Sequence, residues 1–148
     1  MSLFVRHSAW LNALQDRGAK SKEPRQSRLE RMRAERKDAD YVPDMPPVEA
    51  EYLLAILFEI GPTMAAGMGA GPITHEELRA WQENTGIELQ PWQVRTLRRL
   101  SCDYLVESNK AEKADCPAPW QPVGAVVDRA AVSNSMRDAI RAMAGDLT

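Results

Sequence analysis

A chain of 148 residues is long enough for one domain with a hydrophobic core and too short for two comfortable ones. Its apolar fraction of 44% and charged fraction of 27% are ordinary for a soluble globular protein, and its net charge of −2 argues neither for nor against nucleic acid. The longest apolar run, residues 52–58, excludes a membrane span, which needs roughly 20 such residues.

Residues 1–42 are predicted to form a basic, helical N-terminal arm. Apolar residues at helical spacing over 3–17 predict a first amphipathic helix. A second, very polar helix is predicted over 24–38, because a proline at its start precedes strong helix formers. Its large apolar residues are only Leu29 and Met32, so this helix cannot bury a face and needs a partner to fix it.

Charge and proline content separate this arm from the rest of the chain. Residues 1–40 carry ten Lys and Arg against six Asp and Glu, a local charge of +4, whereas residues 41–148 carry nine against fifteen, a local −6. Such an asymmetry is typical of a polar interaction arm. Three prolines within 42–47 then break any helix, so the folded core is predicted to begin at Val48.

A compact helical core is predicted over 48–110. Apolar residues between 53 and 60 cover nearly every direction of a helix, which places that helix in the centre of the fold. The T-x-x-E pattern of Thr74 and Glu77 predicts a capping box, in which each side chain accepts from the backbone amide of the other residue. Pro91 then opens a third helix.

Residues 111–148 are predicted to form a Pro-rich connector followed by a C-terminal helix. Three prolines near the start of this region favour an extended segment. Further on, Met136, Ile140 and Met143 are in line on one face of a helix over 134–145. No alternating strand pattern is visible in the sequence, so the predicted fold class is all-α.

The glycine run after the central helix decides between nucleotide chemistry and a structural role. A phosphate-binding P-loop needs a lysine after its glycines, and no lysine lies between residues 61 and 109. A dinucleotide loop needs a different spacing after a strand, whereas Gly67, Gly69 and Gly71 follow a helix. We therefore interpret the run as a packed loop that joins two helices, with a peptide-docking loop as the alternative.

The sequence offers no set of side chains from which a catalytic or metal site can be assembled. The stretch HEELR at 75–79 lacks the second histidine of the zincin motif H-E-x-x-H, because Arg79 stands at that position. His7, the only other histidine, is expected to be a packing or surface residue. Cys102 and Cys116 have no CxxC spacing and no secretory signal precedes them, which indicates reduced thiols inside a cell. We therefore expect a protein that is not an enzyme and has no cofactor.

The basic residues of 17–37 could contact phosphates, but glutamates alternate with the arginines. No aromatic residue lies between Trp10 and Tyr41 to stack on bases. This spacing favours a solvated or partner-docking helix, and a nucleic-acid partner is not expected.

Tryptophans are the candidate partner contacts. Trp81 and Trp92 are expected on core faces of their helices, and Arg95 lies on an outer face. Trp120 lies in the stretch CPAPWQP, where no helix can bury it. Its side chain is therefore either tucked onto its own domain or offered to a partner groove.

Residues 51–105 resemble the tail assembly chaperones of tailed phages and prophages, which are small proteins encoded among tail genes. The resemblance rests on FEI at 58–60, on the glycine-rich GMGAGPI at 67–73 and on the tryptophan- and arginine-containing stretch 81–105. It covers about 55 of the 148 residues and consists of structural rather than catalytic positions.

The resemblance implies a non-catalytic protein of the host cytoplasm, without a membrane partner, that coats the tape-measure protein and recruits tail-tube subunits. Two alternatives stay open: a structural component that remains in the virion, such as a connector or tail protein, and a nucleic-acid-binding regulator that uses residues 17–37. The candidate partner contacts are Gly67, Gly69, Gly71, Trp81, Trp92, Arg95 and Trp120.

Overall fold

The computed structural model describes residues 1–16, 24–67 and 69–122. The elements in chain order are α1 (Ser2–Asn12), α2 (Arg28–Arg36), α3 (Glu51–Ile60), β1 (Met64–Ala66), β2 (Gly69–Gly71), α4 (His75–Thr85) and α5 (Pro91–Ala111). The C-terminal helix predicted over 134–145 lies outside the described residues.

The fold class differs from the prediction in one element. The described residues are mostly helical, as predicted, but a purely all-α fold is wrong because β1 and β2 form an antiparallel hairpin within the glycine run. Ala66 pairs with Gly69, so residues 67 and 68 alone connect the strands. The strands contain only methionine, alanine and glycine, which is why no alternation of apolar and polar residues indicates them.

Local capping signals set the helix starts. The Thr74 hydroxyl accepts from the Glu77 amide at 3.2 Å, as predicted. The second bond of the predicted capping box, from the Thr74 amide to the Glu77 carboxylate, is not formed. Helix α2 begins at Arg28, later than predicted, because Ser27 and Glu30 form a complete capping box. This S-x-x-E pattern is visible in the sequence, and it sets the start of α2 in place of the earlier proline.

One hydrophobic core joins α1, α3, α4 and α5 with Ile73, the second residue after the hairpin. Its buried members are Val5, Leu53, Leu54, Leu57, Ile73, Leu78, Leu97 and Leu100. The sequence predicted that the core begins at Val48, whereas the buried core also contains Val5. The sequence placed α1 in an arm over 1–42, but its Val5 has no exposed surface. The apolar face of α1 packs against α5 and is buried there.

Helix α1 lies parallel to the second half of α5. The Arg6 Nε donates to the Glu107 carboxylate at 2.8 Å, and the Trp10 Nε1 donates to the Cys116 carbonyl at 2.9 Å. Since Glu107 is buried, Arg6 supplies the counter-charge that a buried carboxylate requires. These contacts connect the first residues of the chain to the end of α5.

Candidate functional site

An apolar groove lies between the first turn of α1, the segment before α3 and one face of α3. Its volume is about 520 Å³. The lining residues are Phe4, Pro46, Pro47, Val48, Glu51, Leu54, Ala55 and Phe58. Two of the three prolines that were predicted to separate an arm from a core, Pro46 and Pro47, line this groove, and Pro46 is buried.

Helix α3 forms one wall of this groove. Glu51, Leu54, Ala55 and Phe58 recur at i, i+3, i+4 and i+7 and therefore share a face. Although the apolar residues of this helix cover nearly every direction and predicted a central position, Ala55 is exposed and Phe58 is 39% exposed, so this face is open. The Phe58 ring meets Tyr104 of α5 edge to face, with centroids 6.4 Å apart, which positions it. Burial raises the pKa of Tyr104 above its ordinary value.

The sequence segment that supplies most of the groove lining is acidic. Residues 38–78 contain eight Asp and Glu and no Lys or Arg, and Glu51 lines the groove itself. Arg6, the only Lys or Arg of α1, is paired with Glu107. An apolar lining with a carboxylate at Glu51 favours an occupant that has an apolar face and a basic flank.

The three glycines predicted as contacts shape the hairpin in different ways. Gly67 has a φ of 57° at the turn, a conformation that costs other residues strain. Gly69 has open space around it. Gly71 is buried, and a Cβ there would lie 2.8 Å from the Cβ of Ala66, so the two strands require glycine at this position. The run joins α3 to α4, as predicted, but as a hairpin rather than as an irregular loop.

Ser101 holds both ends of the hairpin segment against α5. Its hydroxyl accepts from the Ile73 amide at 2.8 Å and donates to the Pro62 carbonyl at 2.7 Å. The side chain is fully buried, so these bonds satisfy backbone groups that water does not reach. Sequence reasoning missed this role, although a serine within the apolar stripe of a helix is the signal that could have indicated it.

The structure brings together only two of the predicted contact residues outside the hairpin. Trp92 and Arg95 are both exposed, one turn apart on α5, so the expectation that Trp92 lies on a core face is wrong. Trp81 is buried on α4, as expected, and offers no free surface to a partner. Trp120 lies elsewhere, against α1.

Trp120 belongs to an aromatic cluster with His7 and Trp10. The His7 ring stacks on Trp10 with centroids 5.6 Å apart, and Trp120 meets His7 edge to face at 5.4 Å. Trp120 is half-buried, so of the two alternatives the side chain is tucked onto its own domain. Burial lowers the pKa of His7, whose Nδ1 has no hydrogen-bond partner among the described residues.

Arg28 connects this cluster to the end of α5. Its guanidinium lies 4.6 Å from the centre of the Trp10 ring and donates to the Ala111 and Lys113 carbonyls, each at 2.7 Å. A cation there satisfies the Ala111 carbonyl, which the end of α5 leaves without an intrahelical partner. Arg28 is buried and its donors face backbone carbonyls, so it is not offered to a phosphate. Sequence reasoning placed Arg28 on a solvated or partner-docking helix, because nothing local marks it as structural.

Neither a scan against protein-family models nor searches of curated proteins and of solved structures finds a match to this chain. Within residues 1–16, 24–67 and 69–122, no helix combines the length and apolar character that crossing a bilayer demands. Over the same ranges, no group of three His, Cys, Asp or Glu is placed to hold a metal ion.

Proposed function

We propose that this chain is a non-catalytic protein-binding factor of phage tail assembly, which holds the tape-measure protein and recruits tail-tube subunits. The observation that carries the proposal is the apolar groove, whose α3 wall lies within residues 51–105, the block that resembles tail assembly chaperones. A groove of this kind accepts the apolar face of an amphipathic helix. A long helical tape-measure protein presents many such faces.

The groove has the properties of a helix-docking site. Phe58 is held by Tyr104 yet remains 39% exposed, so an incoming apolar side chain would complete its burial. The Glu51 carboxylate in the lining would favour a helix that carries Lys or Arg beside its apolar face. Trp92 and Arg95, exposed on the first turns of α5, are candidates for a second contact with tail-tube subunits.

Co-expression with the tape-measure and tail-tube proteins of the same tail gene cluster tests the proposal. The tagged chain is expected to retain the tape-measure protein on a column, and Phe58→Glu is expected to abolish this, because it places a charge in the groove. Val106→Glu is the matched control, since Val106 is also an exposed apolar residue but lies outside the groove.

Retention of neither tail protein by the natural chain would overturn the proposal. Detection of the chain in purified, finished particles would favour the structural virion component instead. Nucleic acid in the eluate that disappears at moderate salt would favour a regulator that uses residues 17–37.

A further inference from the structure

A second pocket, which shares no residue with the apolar groove, lies between the end of α1, helix α2 and the segment after α5. Its volume is about 260 Å³. Its lining combines apolar and polar side chains, which include Trp10, Gln15, Arg28, Arg31, Met32 and Glu35. Pockets for drug-sized ligands begin at about 300 Å³, so this pocket suits a ligand of amino-acid size rather than a nucleotide.

Backbone contacts bring the chain after α1 beside the start of α2. Leu14 and Ser27 form an isolated antiparallel bridge. The next residue, Gln15, donates its amide to the carbonyl of Gln26 at 3.2 Å. Because Ser27 caps α2, these contacts place Gln15 next to the first turns of that helix. The face of α2 that lines the pocket carries Arg28, Arg31, Met32 and Glu35, at i, i+3, i+4 and i+7.

Two buried atoms of the lining have no hydrogen-bond partner within the described residues. They are the Oε1 of Gln15, a residue that is only 2% exposed, and the Nε of Arg31. A buried polar atom normally has a partner, because an unpaired one loses its bond to water without compensation. One of these atoms accepts a hydrogen bond and the other donates one. A ligand that presents a donor and an acceptor together would satisfy both.

The charge of the lining favours a carboxylate as the acceptor group of the ligand. The lining contains two guanidinium groups and one carboxylate, that of Glu35. Arg28 donates to backbone carbonyls, whereas Arg31 has no ion-pair partner within the described residues. A phosphate is disfavoured, because it would offer acceptors to the Oε1 of Gln15 and would bring a second negative charge near Glu35.

We propose that this pocket binds an α-amino-acid unit, either free or at the C-terminus of a peptide. Its carboxylate accepts from the Nε of Arg31, and its N–H group donates to the Oε1 of Gln15. An apolar side chain of the ligand lies beside Trp10 and Met32. The pocket is separate from the apolar groove, so this inference goes beyond the tail-assembly proposal and does not rest on it.

Nuclear magnetic resonance titration of the full-length chain with three probes tests the site. N-acetyl-L-leucine represents a peptide C-terminus, L-leucine represents a free amino acid, and N-acetyl-L-leucinamide lacks the carboxylate. At least one of the two carboxylates is expected to shift the Arg31 Nε–H and Trp10 Nε1–H signals, with a Kd of about 1 mM or below. The uncharged amide is expected to bind at least about tenfold more weakly. The carboxylate that binds more tightly identifies the natural form of the ligand.

Two substitutions test the unpaired atoms. Arg31→Gln and Gln15→Met each remove one of these atoms and are each expected to raise the Kd of the tighter carboxylate at least about tenfold. Arg36→Gln is the matched control, because Arg36 is exposed on the same helix outside the lining, and it should change the Kd less than about twofold. An unchanged Trp10 Nε1–H signal in the ligand-free variants shows that the contact of Trp10 with the Cys116 carbonyl is intact.

The absence of any shift at about 20 mM of either carboxylate would show that water alone meets the unpaired atoms, and it would overturn the proposal. Equal affinity for the uncharged amide would also overturn it, as would affinities that Arg31→Gln and Gln15→Met leave unchanged. Should Arg31→Gln displace the ligand-free Trp10 signal, Arg31→Lys takes its place, because it keeps the charge and lacks the Nε–H donor. Weaker binding by that variant supports the site, and full affinity refutes it.

Discussion

Arg28 places its guanidinium against the end of α5, where a helix leaves carbonyls without partners. Arg28→Gln is expected to lower the free energy of unfolding by about 3 kcal/mol, because charged hydrogen bonds are lost and a buried carbonyl is left unpaired. Urea unfolding followed by circular dichroism measures the change. Arg95→Gln, an exposed change on α5, is the control and should stay within about 0.5 kcal/mol of the natural chain. Equal effects of the two substitutions would contradict the assigned role.

His7 gives the folded chain a pH dependence of known sign. Because burial lowers its pKa, the unfolded chain binds a proton more readily than the folded chain just below pH 6.5. Stability is therefore fully present above about pH 6.5 and is lost as the pH falls toward the lower pKa of the folded state. Unfolding free energies measured between about pH 7.5 and 5.5 should decrease, and His7→Phe should flatten that decrease. A decrease that His7→Phe leaves unchanged would refute the assignment.

At the scale of elements, the hairpin between α3 and α4 depends on one buried hydroxyl. Ser101→Ala is expected to lower the free energy of unfolding by about 2 kcal/mol, because the Ile73 amide and the Pro62 carbonyl lose their shared partner. Hydrogen exchange at the Ile73 amide should accelerate in the same variant. Cys102→Ala, at the exposed neighbouring position, should leave both quantities unchanged. Slow exchange at Ile73 in the Ser101→Ala chain would show that the hydroxyl does not hold the hairpin.

The close approach of the two strands can be tested with a pair of substitutions. Gly71→Ala places a Cβ 2.8 Å from that of Ala66, and neither atom can rotate away, so the strands must shift at a cost of about 1–3 kcal/mol. Adding Ala66→Gly removes the clash and should restore most of the stability. A double-mutant cycle in urea measures this coupling. If the effects of Gly71→Ala and Ala66→Gly on the free energy of unfolding are additive, the destabilisation by Gly71→Ala comes from the backbone at position 71 and not from the clash with Ala66.

At the scale of the whole molecule, α1 belongs to the same folding unit as α3 and α5. Val5→Ala is expected to lower the free energy of unfolding by about 2 kcal/mol, since it removes buried methyl groups from the common core. Tryptophan fluorescence and far-ultraviolet circular dichroism should report one coincident transition, displaced equally by the substitution. A separate arm would give a second transition, and Val5→Ala would leave the main one in place.

Sequence reasoning succeeded where the determining interactions are local. The α4 cap at Thr74 and the α5 start at Pro91 follow from residues within one turn of each helix end. The placement of α1, the hairpin and the carbonyl contacts of Arg28 depend on partners tens of residues away, which no window of sequence contains. The groove escaped prediction for the same reason, because it exists only where α1, the proline segment and α3 meet.

The parallel packing of α1 on α5 also has a consequence for biosynthesis. Arg6 and Trp10 find their partners 101 and 106 residues further along the chain. At about 5–20 residues per second, the ribosome needs roughly 5–20 s to deliver those partners after α1 has emerged. During that interval the apolar face of α1 lacks the cover that α5 provides. Helix α1 is thus made well before the helix that covers it, and the core closes only when the translation of α5 is complete.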